Sequence, residues 1–349
     1  MLDYMPSPLL TLPSELIKTL QQAMPAAMYH SLLTQCSAVT LLNGGLSNQN
    51  YRLSCPTGDK VLRVNQRHSN WCNRELEIEC WRAAIDANIA PQLEWVSDDK
   101  QFYLSEFVAQ PHGDWSQFSS MFGHSSARPL AAMSHPHVDA VTLLAQLFAS
   151  LSQLPVPSKS ITVSAQWQQY AQQLAQYSAE QTQGQWQQAW QQLQCMNVRV
   201  RHWLSQLESC VLLPIFCHRD LTPHNLLLSS TSACQTHDDN VDQAKLYCID
   251  YEYAVASHPL FDLASAVATH ELTNEQVNQL THKVIVQYCQ MASLTDVAAA
   301  KAALPAAINC FWLFSAMWAL LMAAETTQED TLAMSKYIKF YNQYLALIH

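Results

Sequence analysis

The segment FCHRDLTPHNLLL, residues 216–228, holds His218, Asp220 and Asn225 between two apolar runs. Phe216 and Cys217 enter and Leu226 to Leu228 leave, so a polar loop framed by two short strands is expected, an arrangement in which a scaffold presents reactive side chains. In this spacing the aspartate is placed to orient a hydroxyl nucleophile and the asparagine to hold a divalent cation. A second carboxylate, Asp250, ends the run YCID, close to where a further metal ligand is required.

Upstream, NGGLSNQNYRL sets Gly44 and Gly45 in a turn between two strands, in a chain with only six glycines. Backbone amides in such a turn can approach phosphates closely. Arg63, in KVLRVN, is a strand cation able to pair them. The next segment, CNRELEIECWRAAIDAN, has helical periodicity: Leu76, Cys80, Trp81, Ala84 and Ile85 fall on one side, and Glu75, Glu79, Arg82 and Asp86 on the other. Glu77 lies at the centre of the apolar side. A lone buried glutamate is costly, so Glu77, rather than Glu75 or Glu79, is expected to pair Arg63.

The elements that must carry these residues are short β-like runs, AVTLL, QNYRLSC and KVLRVN, with NGG and TGD between them. They predict a small antiparallel sheet, joined after the helix by IAPQLEWV and QFYLSEFV. From there the pattern becomes mostly helical, which puts a lobe boundary near Gln110 to Gly113 and divides the chain into 1–110 and 111–349. NLLL and KLYCIDYEYA read as a hairpin with a long connection spanning about 229–244. Trp167, Tyr170, Leu174 and Tyr177, like Trp186, Trp190 and Leu193, form helical stripes that read as core. The Ser- and His-rich stretch 118–136 reads as an exposed loop rather than a metal site.

A chain of 349 residues suits two lobes. The net charge of -10 and pI near 5.7 argue against nucleic acid or an anionic membrane as the main partner and suit a small cationic substrate. The 11 cysteines form no CxxC, which points to reduced thiols in a cytoplasmic protein. The N-terminus lacks a basic segment before its apolar residues, so no secretory leader is expected. AALPAAINCFWLFSAMWALLMAA, residues 302–324, carries no charge and is long enough to cross a bilayer. Pro305, Asn309 and Ser315 interrupt it, and Trp312 and Trp318 fall near its middle, so a buried helix is expected and no membrane span.

Together GGLSNQNY, VLRV, NRELE, FCHRDLTPHNLLL, IDYEYA, FDLAS and FSAMWALLMA resemble the choline/ethanolamine kinase branch of the aminoglycoside-phosphotransferase-like kinases, with bacterial thiamine kinases as close relatives. The resemblance runs from about Leu41 to Tyr344. It implies an α+β, protein-kinase-like, two-lobed fold, with a small nucleotide-binding N-terminal lobe of antiparallel sheet plus one helix and a larger, mainly helical lobe for catalysis and substrate binding. It implies ATP and Mg2+ as cofactors and a small cationic alcohol such as choline or ethanolamine as acceptor, with thiamine or an aminoglycoside as alternatives. By position it makes Asp220 the catalytic base, Asn225 and Asp250 the magnesium ligands, and Arg63 with Glu77 the phosphate-binding ion pair. Gly44, Gly45, Ser47 and Asn48 would line the phosphate turn, and Glu106 and Val108 the adenine hinge at SEFV. His218 and Asp262 would support the catalytic loop, and Glu252 and Trp318 would line the substrate pocket. The chain departs from the resemblance at Leu321, where eukaryotic choline kinases tend to carry a second tryptophan, and at Ser152, where many relatives have histidine.

A protein kinase fits HRDLTPHN equally well, but Asp250 is followed by YEYA rather than Phe-Gly, no A-P-E triplet occurs downstream, and FDLA begins 11 positions after Asp250. That leaves no room for an activation segment. An ATP-binding pseudokinase is expected to lack at least one of Asp220, Asn225 and Asp250, and all three are present.

Overall fold

The computed structural model describes residues 8–42, 48–65, 72–110, 114–118, 139–180, 184–210, 212–231, 243–293, 296–326 and 331–349. Contacts divide the chain into one unit of Met1–Trp115 with His224–Tyr253 and another of Ser116–Pro223 with Ala254–His349. The segment 224–253 therefore groups with the N-terminal sheet.

The first unit opens with helices α1 (Ser14–Ala23) and α2 (Ala26–Gln35), each entered from a proline, Pro13 and Pro25. They add to the one helix expected from the sequence. Strands β1 (Ala38–Leu42), β2 (Asn48–Ser54), β3 (Lys60–Asn65), β4 (Leu93–Val96) and β5 (Phe102–Glu106) form an antiparallel sheet in the order β1-β2-β3-β5-β4. Leu20, Tyr29 and Leu32 of the two helices share a core with Leu53, Leu62, Val64, Phe102 and Leu104. Because side chains alternate along a strand, the packing of Leu62 and Val64 into this core turns Arg63 to the other face of the sheet.

Helix α3 (Arg74–Asp86) begins at Asn73, whose side chain accepts the backbone N–H groups of Glu75 and Leu76 at 3.1 and 3.2 Å. That N-cap fixes the phase in which Glu77 points inward. Strand β6 (Ile215–Cys217) belongs to the second unit, whereas β7 (Leu226–Thr231) and β8 (Gln243–Cys248) pair antiparallel in the first. Leu228 N donates to Gln110 Oε1 at 2.8 Å, Cys248 N donates to Ile89 O at 2.7 Å, and Tyr251 stacks on Trp81 at 6.2 Å. These contacts join the hairpin to the sheet's own unit.

The second unit holds α4 (Ala140–Leu151), α5 (Val163–Glu180), α6 (Gly184–Cys195), α7 (Asn197–Ser209), α8 (Leu260–Thr269), α9 (Asn274–Met291), α10 (Val297–Glu325) and α11 (Thr331–Leu345). Strand β6 pairs there with β9 (Val255–Ser257). Helix α10 is apolar all round because it packs against α5, α6, α7, α8, α9 and α11. It is long and apolar enough by composition to cross a bilayer, yet 83% of its most apolar window is buried within the protein. Trp186 Nε1 donates to Leu320 O at 2.9 Å, and Phe314 stacks on both Tyr170 and Phe261 at 5.9 Å. Trp186, Trp190, Leu193, Tyr170 and Leu174 are core residues, as their helical spacing predicts, whereas Trp167 and Tyr177 of the same stripes are half-buried.

Candidate active site

In the first unit, a cluster of charge is buried on the face of β3 opposite the core. Arg63 NH1 lies 2.9 Å from Glu77 Oε1 and 3.1 Å from Asp250 Oδ1, and its NH2 lies 3.3 Å from Glu252 Oε2. Its Nε donates to Asn65 Oδ1 at 2.9 Å, and its guanidinium lies 5.4 Å from the Tyr103 ring centroid. Burial alone would lower the Arg63 pKa, but the carboxylates of Asp250, Glu77 and Glu252 together hold it above the usual arginine range. Glu77 is 1% exposed, and its other oxygen accepts from Arg74 NH1 at 2.7 Å and Tyr103 Oη at 3.1 Å. Glu75, as its helical phase predicts, lies outside this cluster and reaches Lys100 at 2.9 Å.

Glu252, assigned by the resemblance to substrate, is 6% exposed. Its Oε2 lies 3.3 Å from Arg63 NH2, 3.3 Å from Arg74 NH1 and 3.4 Å from Asn48 Nδ2. Burial, reinforced by Asp250, raises its pKa, while Arg63 opposes the shift.

Asn225 immediately precedes β7, and Asp250 stands two residues beyond β8. Ile249 N donates to Asn225 O at 3.0 Å, next to the Leu226↔Cys248 pair, so the hairpin brings both residues to one end. Asp250 adopts φ 66, a left-handed conformation that aspartate tolerates better than most residues. Its Oδ1 is buried and accepts no hydrogen bond among the described residues; its contact with Arg63 is an ion pair without hydrogen-bond alignment. An amide oxygen and a carboxylate with an unfilled acceptor fit Mg2+, which takes hard oxygen donors and completes its shell with phosphate and water. Among the described residues no cluster of three or more His, Cys, Asp or Glu is placed to hold a metal ion.

In the second unit, the loop after β6 is pinned by α8. Asp262, 2% exposed, accepts His218 N at 2.7 Å and Arg219 N at 2.6 Å, one with each carboxylate oxygen. Successive amides cradling one anion form a nest, and this offsets the left-handed conformation of Arg219, φ 69. The Arg219 guanidinium lies 5.2 Å from the Phe261 ring, so the first two residues of FDLA grip the same residue. His218 is fully buried, and its Nδ1 accepts the N–H of Asp220 at 3.4 Å. Asp220 itself is half-buried. Burial raises the Asp262 pKa to about 6, against the lowering effect of its two amide donors.

The remaining expectations are placed more simply. Gly44, Gly45 and Ser47 lie outside the described residues, while Asn48 opens β2. Glu106 is exposed at the end of β5, where its backbone N donates to Gln92 O at 2.9 Å, and Val108 is half-buried just beyond. Trp318 is half-buried on α10 and meets Tyr337 edge to face at 5.9 Å. Leu321 is fully buried. At Ser152, the hydroxyl donates to Ala149 O at 2.9 Å and accepts from Gln287 Nε2 at 2.6 Å. The stretch 119–138 and most of 229–244 lie outside the described residues. Arg74, Tyr103, Gln110 and Phe261 escaped the reading of single residues. Arg74 had one signal, its i,i+3 spacing to Glu77.

The profile of the family described as "Phosphotransferase enzyme family" matches residues 38–298. Among curated proteins, no sequence match is found. Solved structures share the fold at low identity. A choline/ethanolamine kinase family protein from Mesorhizobium loti has a TM-score of 0.56 at 17% identity, over 95% of this chain and 97% of its own. An ethanolamine kinase from Plasmodium vivax has a TM-score of 0.61 at 13% identity, over 99% and 96%. A choline kinase from Streptococcus pneumoniae has a TM-score of 0.60 at 14% identity, over 95% and 100%, and is also known in complex with AMP.

Proposed function

The chain belongs to the phosphotransferase enzyme family, and from that premise we propose that it transfers the γ-phosphoryl group of ATP to the hydroxyl of a small cationic amino alcohol such as choline or ethanolamine. The observation that carries this reading is the buried cation Arg63, held by the inward acid Glu77 with Asp250 beside it. That is the apparatus for binding polyphosphate, and it stands in a chain that also retains a pinned loop bearing Asp220. Choline and ethanolamine kinases among the solved structures of this fold, one with bound AMP, support the acceptor class and the nucleotide.

In this mechanism, Arg63 draws the nucleotide phosphates out of water and neutralises their charge. Asn225 and Asp250 would hold Mg2+, which when bound would supply further positive charge to the transferring phosphoryl group. Asp220 orients the alcohol and accepts its proton as the new O–P bond forms and the bond from the γ-phosphorus to the β-phosphate oxygen breaks. Most of the acceleration comes from positioning and electrostatics. Glu106 and Val108 take the adenine, Gly44, Gly45, Ser47 and Asn48 the phosphates, and Trp318 the cationic head through its aromatic face. The reading places the enzyme in the cytoplasm, where ATP is supplied. ATP consumption by the purified protein with choline, ethanolamine, thiamine and kanamycin tests it. Turnover is expected with choline or ethanolamine; turnover confined to kanamycin or thiamine would replace the acceptor.

A further inference from the structure

We propose that Arg74 and Glu252 are a positioning pair that holds Arg63 for the nucleotide phosphates, a reading that rests on the ATP-dependent transfer proposed above. Arg63 reaches Glu77 Oε1 at 2.9 Å and Glu252 Oε2 at 3.3 Å. Arg74 NH1 reaches the same two acids, Glu77 Oε2 at 2.7 Å and Glu252 Oε2 at 3.3 Å. The four side chains close a ring in which cations and anions alternate. All are largely buried, with side chains 7%, 0%, 16% and 4% exposed for Arg63, Glu77, Arg74 and Glu252.

The ring is neutral: two guanidiniums stand against two carboxylates. Asp250 touches it only as a third carboxylate, 3.1 Å from Arg63. Among the described residues it is the acid that the ring does not balance. Asp250 can therefore turn its charge to a divalent cation while Arg63 remains fixed between Glu77 and Glu252. Without Arg74, both ring acids and Asp250 would converge on Arg63 alone, and a phosphate would have to compete with three carboxylates for it. Such convergence is unfavourable at low dielectric.

Glu252 does a second thing from the same atom, accepting from Asn48 Nδ2 at 3.4 Å at the first residue of β2. It thus ties the strand that comes after the glycine turn to the strand that carries Arg63. With three nitrogen groups around Oε2 and 6% of the residue exposed, Glu252 serves the nucleotide side of the reaction rather than the head of the alcohol.

The test is MgATP affinity by calorimetry on the full chain, with Arg74→Gln, Glu252→Gln, the double variant and Arg74→Lys. Each single Gln variant should bind MgATP about tenfold more weakly, the scale seen when groups that orient a binding residue are removed. The double variant should bind no worse than the weaker single, because removing one charge of each sign restores the balance. Arg74→Lys should recover part of the loss. In steady-state assays the KM for ATP should rise while the KM for the alcohol holds, a split that general unfolding would not produce. The proposal is overturned if Arg74→Gln leaves MgATP affinity unchanged, if the two losses simply add, or if Glu252→Gln raises the KM for the alcohol alone. Should Arg74→Gln not fold, the comparison of Arg74→Lys with Glu252→Gln decides the same question. Wild-type protein that binds MgATP but phosphorylates no alcohol would sink the proposed acceptor, and the titrations would still decide the pair.

Discussion

Asp262 accepts the backbone N–H of His218 at 2.7 Å, and through its second oxygen that of Arg219 at 2.6 Å, so one carboxylate sets the backbone leading into Asp220. Asp262→Asn exchanges one acceptor for a donor and leaves one amide facing an N–H. The expected cost is about 1–3 kcal/mol of stability, with a fall in kcat and little change in MgATP affinity. The pH dependence has a definite sign. Burial raises the carboxyl from 3.8 to about 6, so the stability tied to its proton is fully present below the unfolded value and is lost as pH rises through about 6. The advantage of wild type over Asp262→Asn in urea midpoint should therefore shrink between about pH 4 and pH 7. An advantage that grows over that window would contradict the assignment.

Asp220→Asn should lower kcat by about 10²–10⁴-fold, the usual contribution of a positioned base, while MgATP binding persists. The measurement is steady-state turnover beside calorimetric titration of the same sample. A variant with near wild-type kcat would remove Asp220 from the proton transfer.

Arg63→Ala should destabilise the protein by about 3–5 kcal/mol, because it leaves Arg74 alone against Glu77 and Glu252 and removes the arginine beside Asp250. Glu77→Gln, which leaves Glu252 and Asp250 beside Arg63, should cost less. Urea denaturation of both variants checks the order. Equal, small losses for the two would mean that the cluster is more hydrated than its burial implies.

Trp318→Ala should raise the KM for the cationic alcohol by an amount approaching the roughly 2 kcal/mol of a desolvated cation–π contact. The KM for ATP should stay within about twofold, since adenine is assigned to Glu106 and Val108 in the first unit. Trp318→Phe, which keeps an aromatic face, should recover most of the loss. Parallel changes in both KM values would place Trp318 in the packing of α10 against Tyr337 instead.

The sequence by itself determined the features set by local period and spacing. Alternation turned Arg63 away from Leu62 and Val64, helical phase buried Glu77 and left Glu75 outside the cluster, and the apolar frames around HRDLTPHN and YCID gave β6, β7 and β8. Each depends on neighbours a few residues apart, which can be counted along the chain. Tertiary structure alone decided who meets whom. Arg74 and Glu252 are separated by 178 positions, and Asn48 and Glu252 by 204. No periodicity links them; they meet because the hairpin packs beside the sheet through Gln110 and Ile89. Glu252 is assigned to the substrate pocket by the family resemblance alone. Two arginines brought in from β3 and α3 have first claim on it, since a buried carboxylate is stable only where the fold supplies its counter-charge.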